Sequence, residues 1–331
     1  MKTAVVILNW NGRKLLEQFL PTIIRFSAEA DIYVADNASD DDSVAYVRGN
    51  FPSVKIIENS TNLGFAGGYN QALANVEADI YALVNSDVLV TENWLLPILE
   101  CLRNEPDTAI IQPKIKDYKN PEYFEYAGAA GGFVDRFGYP FCRGRVFDTV
   151  EKDEGQYDDD REIFWASGAC MFIRKNVFDE LGGFDADFFA HQEEIDLCWR
   201  AFNKGFKAKY IHNSVVYHVG GATLQQGDPR KTYLNFRNSL MMLVKNLPGK
   251  QLITIVIGRM VLDGMAGIQF LLKGKPAHFW AIIKAHFAFY SAIRHNYLKR
   301  IKSKAPGQYF HLSSVVYNYF VGGKKYYKNL F

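Results

Sequence analysis

Three short apolar runs in the first 90 residues each stop abruptly at side chains that carry a carboxylate or an amide. The runs 4–8, 31–35 and 80–84 are followed by Asn9, by Asp36 and by Asn85-Ser86-Asp87. Runs of this length that are rich in Val, Ile and Tyr are typical of buried strands in a mostly parallel sheet. Ligands of open α/β sheets bind beyond the carboxyl ends of the strands, so we expect these polar side chains to line a ligand site.

Predicted helices alternate with these strands. Apolar residues at helical spacing predict a helix over 13–26, and a shorter helix over 42–48 precedes a third strand at 54–58. The alternation predicts an α/β fold whose mixed, mostly parallel, doubly wound sheet has helices on both faces. Thr91 is expected to cap the next helix, which leaves Asp87 free for another role.

Asp87 and Asp36 each have a functional and a local interpretation. A carboxylate at the position of Asp87 suits Mn²⁺ or Mg²⁺ bridging to a diphosphate, because hard cations take oxygen ligands. An acid after the second strand, as at Asp36, often holds a ribose or base edge in nucleotide-binding folds. The alternative for both residues is simple turn chemistry.

Two further segments could take part in a site. The glycine-rich turn 62–70 could direct backbone N–H groups at an anion, but glycines that only permit close packing are the alternative, since no P-loop spacing is present. Glu193, Glu194 and Asp196 fall at the start of a predicted helix, where the macrodipole favours acids. Three acids within four positions are more than helix capping requires.

The remaining chain divides by composition. Residues 113–160 read as an irregular loop, either a lid or disordered, whose acidic cluster at 151–160 is expected to be solvated. Residues 1–229 carry a net charge of −14, whereas 230–331 hold 17 Lys and Arg against one acid, Asp263. We therefore expect an acidic catalytic domain over 1–229 and a basic, aromatic-rich helical region over 230–331.

The basic region suggests a partner. Residues 251–272 are long enough to span a bilayer, but Arg259 and Asp263 argue against spanning. Basic residues interleaved with aromatics suit an anionic membrane surface. A helical cap on the acidic domain is the alternative. No nucleic-acid-binding motif is visible, so no nucleic acid is expected as a partner.

The chain's location is expected to be cytoplasmic and peripheral on the cytosolic face of the membrane. Four scattered cysteines without a CxxC pair predict neither a zinc site nor a disulfide framework. The first apolar run, 4–8, is too short for the core of a signal peptide.

Taken together, these segments resemble the inverting glycosyltransferases of family 2, which have the GT-A fold, and in particular their rhamnosyltransferase-like members. The resemblance spans roughly residues 3–245. Its landmarks occur in the expected order at 6–11, 36–41, 62–70, 85–88, 182–185, 193–200, 218 and 237–238. Each landmark is weak alone, but the ordered set is specific.

The resemblance implies a nucleoside-diphosphate-sugar donor and a divalent metal, Mn or Mg. Residues 85–87 take the place of the family's DxD motif, with Asn as the first residue, so Asp87 is its only carboxylate. His218 matches a histidine that completes the metal site. The positions implied in donor binding are Asn9, Asn11, Asp36, Asn62, Gly64, Gly67, Asn70, Asn85, Ser86 and Asp87.

Glu194 aligns with the family's catalytic base, and Glu193 or Asp196 could replace it if the helix is rotated. A base is needed because the acceptor hydroxyl must lose its proton as it attacks the anomeric carbon. The implied activity transfers a sugar from dTDP-rhamnose or a UDP-sugar to a glycan or lipid-linked acceptor in cell-surface polysaccharide synthesis. The rival hypotheses are a nucleotidyltransferase and a catalytically silent sugar-nucleotide-binding or membrane-scaffold protein. A homodimer is compatible with the sequence.

Overall fold

The computed structural model describes residues 1–220, 227–305 and 307–331. Its strands are β1 (Thr3–Asn9), β2 (Ala30–Asp36), β3 (Lys55–Glu58), β4 (Ile80–Asn85), β5 (Val88–Val90), β6 (Thr108–Asp117), β7 (Gly132–Val134), β8 (Pro140–Cys142), β9 (Arg145–Val146), β10 (Thr149–Val150), β11 (Arg161–Ile163), β12 (Cys170–Arg174) and β13 (Lys207–His218). Its helices are α1 (Arg13–Arg25), α2 (Ser43–Asn50), α3 (Gly64–Leu73), α4 (Leu96–Asn104), α5 (Lys175–Glu180), α6 (Glu193–Lys204), α7 (Pro229–Asn246), α8 (Leu252–Leu272), α9 (Pro276–Leu298) and α10 (Val315–Phe320).

The central sheet has the strand order β11-β13-β6-β12-β4-β1-β2-β3, and β5 pairs with β13. Six of its strands, namely β1, β2, β3, β4, β6 and β13, run in one direction, and β5, β11 and β12 run against them. The chain leaves β1 towards β2 on one side and returns to β4 on the other. A crevice therefore opens at the carboxyl ends of β1 and β4, where such sheets bind ligands.

Helices cover both faces of the sheet, as predicted. Apolar residues of α1, α2 and α4, such as Leu16, Val47 and Ile98, share one buried cluster with one face of the strands. Residues of α3, α5 and α6, such as Tyr69 and Phe178, belong to a second cluster on the other face. The predicted α/β class with a mixed, mostly parallel sheet is confirmed.

The helix predicted to start at Thr91 begins later, at Leu96. Val88–Val90 instead extends as β5 along the end of β13, and the Thr91 hydroxyl donates to the carbonyl of Val215 at 2.7 Å. The capping prediction was therefore wrong, because the partner strand lies far away in sequence.

The expectation of an irregular loop over 113–160 was also wrong, although the expected solvation of the acidic cluster holds for its four exposed acids, Glu154, Asp158, Asp159 and Asp160. Residues 113–117 continue β6, and β7 to β10 form a four-stranded antiparallel sheet. The acids of the 151–160 cluster are largely paired: Asp153 bonds to Lys114 at 3.3 Å, and Asp159 bonds to Arg143. These basic partners lie on β6 and in the turn between β8 and β9, so the local acidic run gave no sign of them.

The carboxyl-terminal region shares the core of the catalytic part. Apolar residues of α7, α8, α9 and α10 belong to the same buried cluster as α3 and α6. Asp135, beside β7, accepts hydrogen bonds from Tyr139 and from the backbone N–H of Val315, and Glu151 accepts one from the N–H of Tyr327. The buried core therefore continues across residue 230, where the charge composition of the chain changes.

Candidate active site

Asp87 and His218 meet at the crevice because β5 pairs with the end of β13. The register places His218 opposite Val88, and the N–H of Val219 donates to the carbonyl of Asp87 at 3.1 Å. Both side chains are buried, and Nε2 of His218 lies 3.1 Å from Oδ1 of Asp87. The structure therefore brings together the two residues predicted to hold a metal.

Glu125 stands behind His218. Its Oε1 lies 3.3 Å from Nδ1 of the histidine, and its Oε2 accepts a hydrogen bond from the N–H of Ala127. A carboxylate in this position fixes the orientation of a metal-binding histidine. Burial alone would lower the pKa of His218, but the two flanking carboxylates raise it to about 10, so a cation that binds near pH 7 would have to displace a ring proton.

The Asp87–His218 pair fits a divalent cation. Its separation of 3.1 Å is close to the roughly 3 Å between neighbouring ligands of an octahedral site whose bonds are about 2.1 Å long. Carboxylate suits both Mn²⁺ and Mg²⁺, while imidazole suits a transition metal better. Within the described residues no cluster of three or more His, Cys, Asp or Glu could hold a metal. Other ligands would have to come from the donor diphosphate and water.

The neighbouring loops close around this pair. Nδ2 of Asn85 lies 3.5 Å from Nε2 of His218. A Cβ atom at Gly12 would lie 2.4 Å from Oδ1 of Asn9 and 3.6 Å from Oγ of Ser86. Glycine at position 12 therefore lets the loop after β1 pack closely against Asn9.

Asp36 and Asn9 face each other across β1 and β2. Nδ2 of Asn9 donates to Oδ1 of Asp36 at 2.9 Å, and Ser39 donates to both carboxylate oxygens of Asp36. Asn9 is fully buried, so its predicted direct contact with base or ribose does not fit the structure. Among the described residues, only the N–H of Ser39 donates to Oδ2 of Asp36, which keeps a lone pair that could accept a ribose hydroxyl.

Asn11 connects the two loops. Its backbone N–H donates to the hydroxyl of Ser39 at 2.9 Å, and its side-chain oxygen accepts from the N–H of Asp40 at 2.7 Å. Asn11 has a φ of 52°, in the left-handed region that asparagine tolerates better than most residues. Its side chain is exposed at the rim of the crevice.

The glycine-rich segment 62–70, most of which forms the start of α3, is not a free anion cradle. The N–H of Gly64 donates to Oδ1 of Asn62 at 2.9 Å, and the N–H groups of Phe65 and Ala66 donate to the carbonyl of Phe189 at 2.8 and 3.4 Å. Gly64 has a φ of 71°, and a Cβ there would lie 2.4 Å from that carbonyl. The close-packing interpretation of the turn therefore explains Gly64.

Gly67 and Asn70 also serve packing. A Cβ atom at Gly67 would lie 2.7 Å from Cβ of Leu63. The amide of Asn70 donates to the carbonyl of Phe184 at 2.7 Å and accepts from its N–H at 2.9 Å. The structure thus disagrees with the predicted role of Asn70 in donor binding, because both of its polar atoms already join α3 to the segment 182–185.

Asp196 is placed to hold helices together. Its carboxylate accepts hydrogen bonds from Arg200, Lys245 and Asn246, each at 2.8 Å, and it is completely buried. Burial acts to raise the pKa of Asp196, but Lys245 and Arg200 hold it below its usual value. The structure therefore argues against Asp196 as the catalytic base, since no acceptor hydroxyl could reach it.

Replacing Asp196 by Asn is expected to lower the free energy of unfolding by about 3–5 kcal/mol, because two buried cations lose a counter-charge. Urea unfolding followed by tryptophan fluorescence measures this change. Asp179→Asn is the matched control, since Asp179 also pairs with a lysine four residues away but on an exposed helix, and it should unfold like the wild type. An Asp196→Asn variant of unchanged stability would contradict the structural role.

Glu193 and Glu194 remain as candidates for the base. Burial raises the pKa of Glu194 to about 7, although backbone N–H groups at the helix start act in the opposite direction. Burial and the neighbouring charge of Glu194 raise the pKa of Glu193 well above its usual value. Oε2 of each residue is buried and makes no hydrogen bond within the described residues. Two such oxygens are available to a ligand.

The two residues before Glu193 also carry buried polar atoms that lack a described hydrogen-bond partner. Nε2 of His191 and Oε1 of Gln192 are also buried without a hydrogen-bond partner among the residues that the structure describes. Burial, with the charge of Lys231, lowers the pKa of His191 to about 4, so the imidazole is neutral near pH 7. Unpartnered buried polar groups are uncommon, and four in sequence make this segment a candidate ligand-binding site.

Asn238 and Arg237 hold this segment in a strained conformation. Phe189, His191 and Gln192 have φ values of 63°, 69° and 73°. Nδ2 of Asn238 lies within 3.0 Å of the carbonyls of Phe188, Ala190 and His191, and Arg237 donates to those of Asp187 and Phe188. Strain of this kind is retained only where the surroundings enforce it. Arg237 and Asn238, which form the last landmark of the resemblance, thus position the start of α6 and its acids.

No sequence pattern assigns a role to Glu125, His191 or Asn238, although His191 lies beside the predicted acids. Glu125 lies in the segment that was interpreted as a loop, where no periodicity marks it. Asn238 was noted only as part of the resemblance. An isolated polar residue becomes informative only once its spatial partner is known.

The chain was compared with known proteins. The model of the family "Glycosyl transferase family 2" matches residues 4–182. The chain is 24% identical over 233 residues to an N-acetylglucosaminyl-diphospho-decaprenol L-rhamnosyltransferase of Mycobacterium tuberculosis, covering 65% of this chain and 75% of that protein.

Two solved structures show the same fold. One is GalNAc-T7 with UDP, GalNAc and Mn²⁺, with a TM-score of 0.59 and 17% identity over 73% of this chain but only 48% of the other. The second is the mannosyltransferase PcManGT of Pyrobaculum calidifontis in complex with GDP-Man and Mn²⁺, with a TM-score of 0.52 and 15% identity, covering 88% and 87% of the two chains.

Proposed function

This chain belongs to glycosyltransferase family 2, and from that premise we propose that it transfers a sugar from a nucleoside-diphosphate sugar to a hydroxyl group, inverting the anomeric centre. One observation carries the proposal. The buried Asp87–His218 pair lies at the crevice between β1 and β4, and a second element, α6, presents two acids whose Oε2 atoms make no hydrogen bond to any described residue. A donor site and a proton acceptor are thus both available.

Asp87 and His218 would hold a divalent cation, with Glu125 fixing the histidine. When bound, the cation offsets the charge that develops on the leaving diphosphate. Both structural neighbours contain Mn²⁺, which is why we propose Mn²⁺ first and Mg²⁺ as the alternative. Asp36 and the loop around Asn11 are proposed to receive the nucleoside.

Glu194 is proposed as the base. Its Oε2 would accept the proton of the acceptor hydroxyl as that oxygen attacks the anomeric carbon from the face opposite the diphosphate. A pKa near 7 keeps an appreciable fraction of Glu194 ionised at neutral pH while allowing it to take up a proton. Glu193 is the alternative. His191 and Gln192 would orient the acceptor.

The donor is proposed to be dTDP-rhamnose or a UDP-sugar, and the acceptor a glycan or lipid-linked sugar. The relative from Mycobacterium tuberculosis is named as an L-rhamnosyltransferase that acts on a diphospho-decaprenol, whereas the structural neighbours bind UDP and GDP-Man. A role in cell-surface polysaccharide synthesis would follow from such an acceptor.

Release of nucleoside diphosphate from a panel of nucleotide sugars tests the proposal. Purified protein with Mn²⁺ should release the diphosphate from one class of donor, and EDTA should stop the release. The variant Glu194→Gln is the matched control, because it should bind the same donor without turnover. Donor binding without turnover by the wild type, even with lipid-linked acceptors, would instead favour a silent binding protein.

The transfer rate is expected to decrease as pH falls below about 7. Glu194 accepts a proton only when ionised, and burial raises its pKa to about 7, so each further pH unit should lower kcat/KM about tenfold. Rates at saturating Mn²⁺ between pH 5.5 and 8 measure this dependence. Glu193 takes up no proton in the proposed step, so Glu193→Gln should keep the same profile. A flat profile, or loss of activity in Glu193→Gln, would contradict the assignment.

A further inference from the structure

One face of α8 is exposed and apolar along its whole length. Side chains spaced three or four residues apart line it: Ile253, Ile257, Val261, Met265, Ile268 and Leu272, each more than half exposed. We call these six residues the α8 stripe. Isolated exposed apolar residues are ordinary, but a continuous stripe of this size indicates a surface that contacts something apolar.

The charged residues of α8 face the protein instead. Arg259 donates to Asp263 at 2.7 Å, and both are buried. Asp263 also accepts from the hydroxyl of Tyr139 at 3.0 Å and lies 3.3 Å from Nε2 of His286. By length and composition, Gly249–Leu272 is the one described helix that could cross a membrane. Crossing would break these contacts and place two charges in lipid, which is costly.

Basic residues surround the α8 stripe. Lys250, Lys273 and Lys275 flank the two ends of α8, and Lys284 and Arg294 lie on the outer face of α9, all of them exposed. Trp280 and Phe287 are exposed beside them, at 58% and 69%. Apolar side chains framed by lysine and arginine match the surface of an anionic bilayer. A second copy of this chain would bring like charges together.

Other basic residues of the same region are already neutralised. Lys245 pairs with Asp185 and Asp196 at 2.6 and 2.8 Å, and Lys299 pairs with Asp185 and Asp187 at 2.7 Å. The helical-cap interpretation of the basic region is therefore correct for its inner side. It does not account for the outer basic residues.

We propose that the α8 stripe and the outer face of α9 bind the surface of an anionic lipid bilayer, with α8 lying in the interface rather than crossing it. The length of α8 alone is compatible with a helix that spans the bilayer, lies on its surface or avoids it. The inward orientation of Arg259 and Asp263 and the exposed basic frame favour surface binding.

The bound bilayer would lie beside the active site. The hydroxyl of Thr232, in the first turns of α7, lies 2.7 Å from Nδ1 of His278 on α9. The same turns contact the segment 191–194, which carries the proposed base, since Nε2 of Gln192 donates to Oδ1 of Asn235 at 3.5 Å. Resting on the proposed function, this arrangement would let an acceptor carried by a membrane lipid reach Glu194 from the bilayer.

Sedimentation with lipid vesicles tests the membrane proposal. The full chain should bind phosphatidylglycerol-containing vesicles at least tenfold more strongly than phosphatidylcholine vesicles, and 0.5 M salt should weaken binding. Val261→Glu, in the middle of the α8 stripe, should reduce binding at least tenfold. Leu96→Glu is the matched control, because Leu96 is an exposed leucine on the opposite face of the sheet and its replacement should have no effect.

Three results would overturn the proposal: equal binding to both vesicle types, no binding to either, or protein retained in the membrane after alkaline carbonate extraction. A dimer in solution that Val261→Glu dissociates, without vesicle binding, would assign the stripe to a second copy. Release of nucleoside diphosphate in the absence of lipid should be the same in Val261→Glu and wild type. If neither protein releases the diphosphate even when lipid-linked acceptors are supplied, the proposed function is refuted, while vesicle binding is judged by itself.

Discussion

Replacing Glu194 by Gln is expected to lower kcat by about 10²–10⁴-fold while donor binding is retained. The amide has nearly the same shape but cannot accept the proton of the acceptor hydroxyl. Oε2 of Glu194 is buried without a hydrogen-bond partner in the described part of the chain, so no described bond that supports the fold is lost. Single-turnover transfer and calorimetric binding of the donor diphosphate separate the two effects.

The stability of this variant provides an internal control. Burial raises the pKa of Glu194 to about 7, above the roughly 4.3 of a glutamate in an unfolded chain. For a group whose pKa is raised by folding, the stabilising contribution is complete below the unfolded value and is lost as the pH rises through the folded value. Glutamine does not ionise, so Glu194→Gln avoids this loss of stability at high pH. Its melting temperature at pH 8 should therefore equal or exceed that of the wild type.

Two outcomes would contradict the role of Glu194. Turnover at the wild-type rate would move the base to Glu193. Loss of donor binding together with turnover would show that Glu194 contacts the donor instead of the acceptor.

Replacing Asp87 by Asn is expected to abolish Mn²⁺-dependent donor binding. The substitution keeps the side chain's size but removes the only carboxylate of the segment 85–87. Although burial acts to raise it, the pKa of Asp87 is lowered by His218, so the wild-type side chain is ionised and able to bind a cation near pH 7. Calorimetric titration of Mn²⁺ in the presence of a nucleoside diphosphate measures the effect.

Glu125→Gln offers a graded comparison. Glu125 contacts the histidine and not the proposed cation position, so its replacement should weaken metal affinity by about 10- to 100-fold. Asp87→Asn should be more severe. Wild-type metal dependence in Asp87→Asn, or a larger defect in Glu125→Gln, would place the cation elsewhere.

The parts of the fold that could be predicted are those in which the local pattern and the tertiary structure agree. The runs before Asn9, Asp36 and Asn85 are buried strands because each is almost wholly apolar, and parallel pairing then brings their ends together. The acids of α6 could be located because helical periodicity defines the buried face that follows them.

The parts that could not be predicted depend on partners that are distant in sequence. Asp196 read as a candidate base until its partner Lys245, 49 residues away, was seen. The segment 113–160 looked unstructured because its strands are short and its acids pair with basic residues of β6 and of the turn between β8 and β9. The sequence of the glycine-rich turn left an anion site and close packing both open, and the carbonyl of Phe189, which takes two of its N–H groups, decides for packing.

Thermal stabilisation of the purified protein by nucleoside diphosphates, with and without Mn²⁺, tests the central claim most directly, since a ligand that binds the native state raises its melting temperature. We expect dTDP or UDP to raise the melting temperature only when Mn²⁺ is present, and Asp87→Asn to show no such rise. No stabilisation by any nucleoside diphosphate, or equal stabilisation of the wild type and Asp87→Asn in EDTA, would contradict a metal-dependent nucleotide-sugar site at Asp87 and His218.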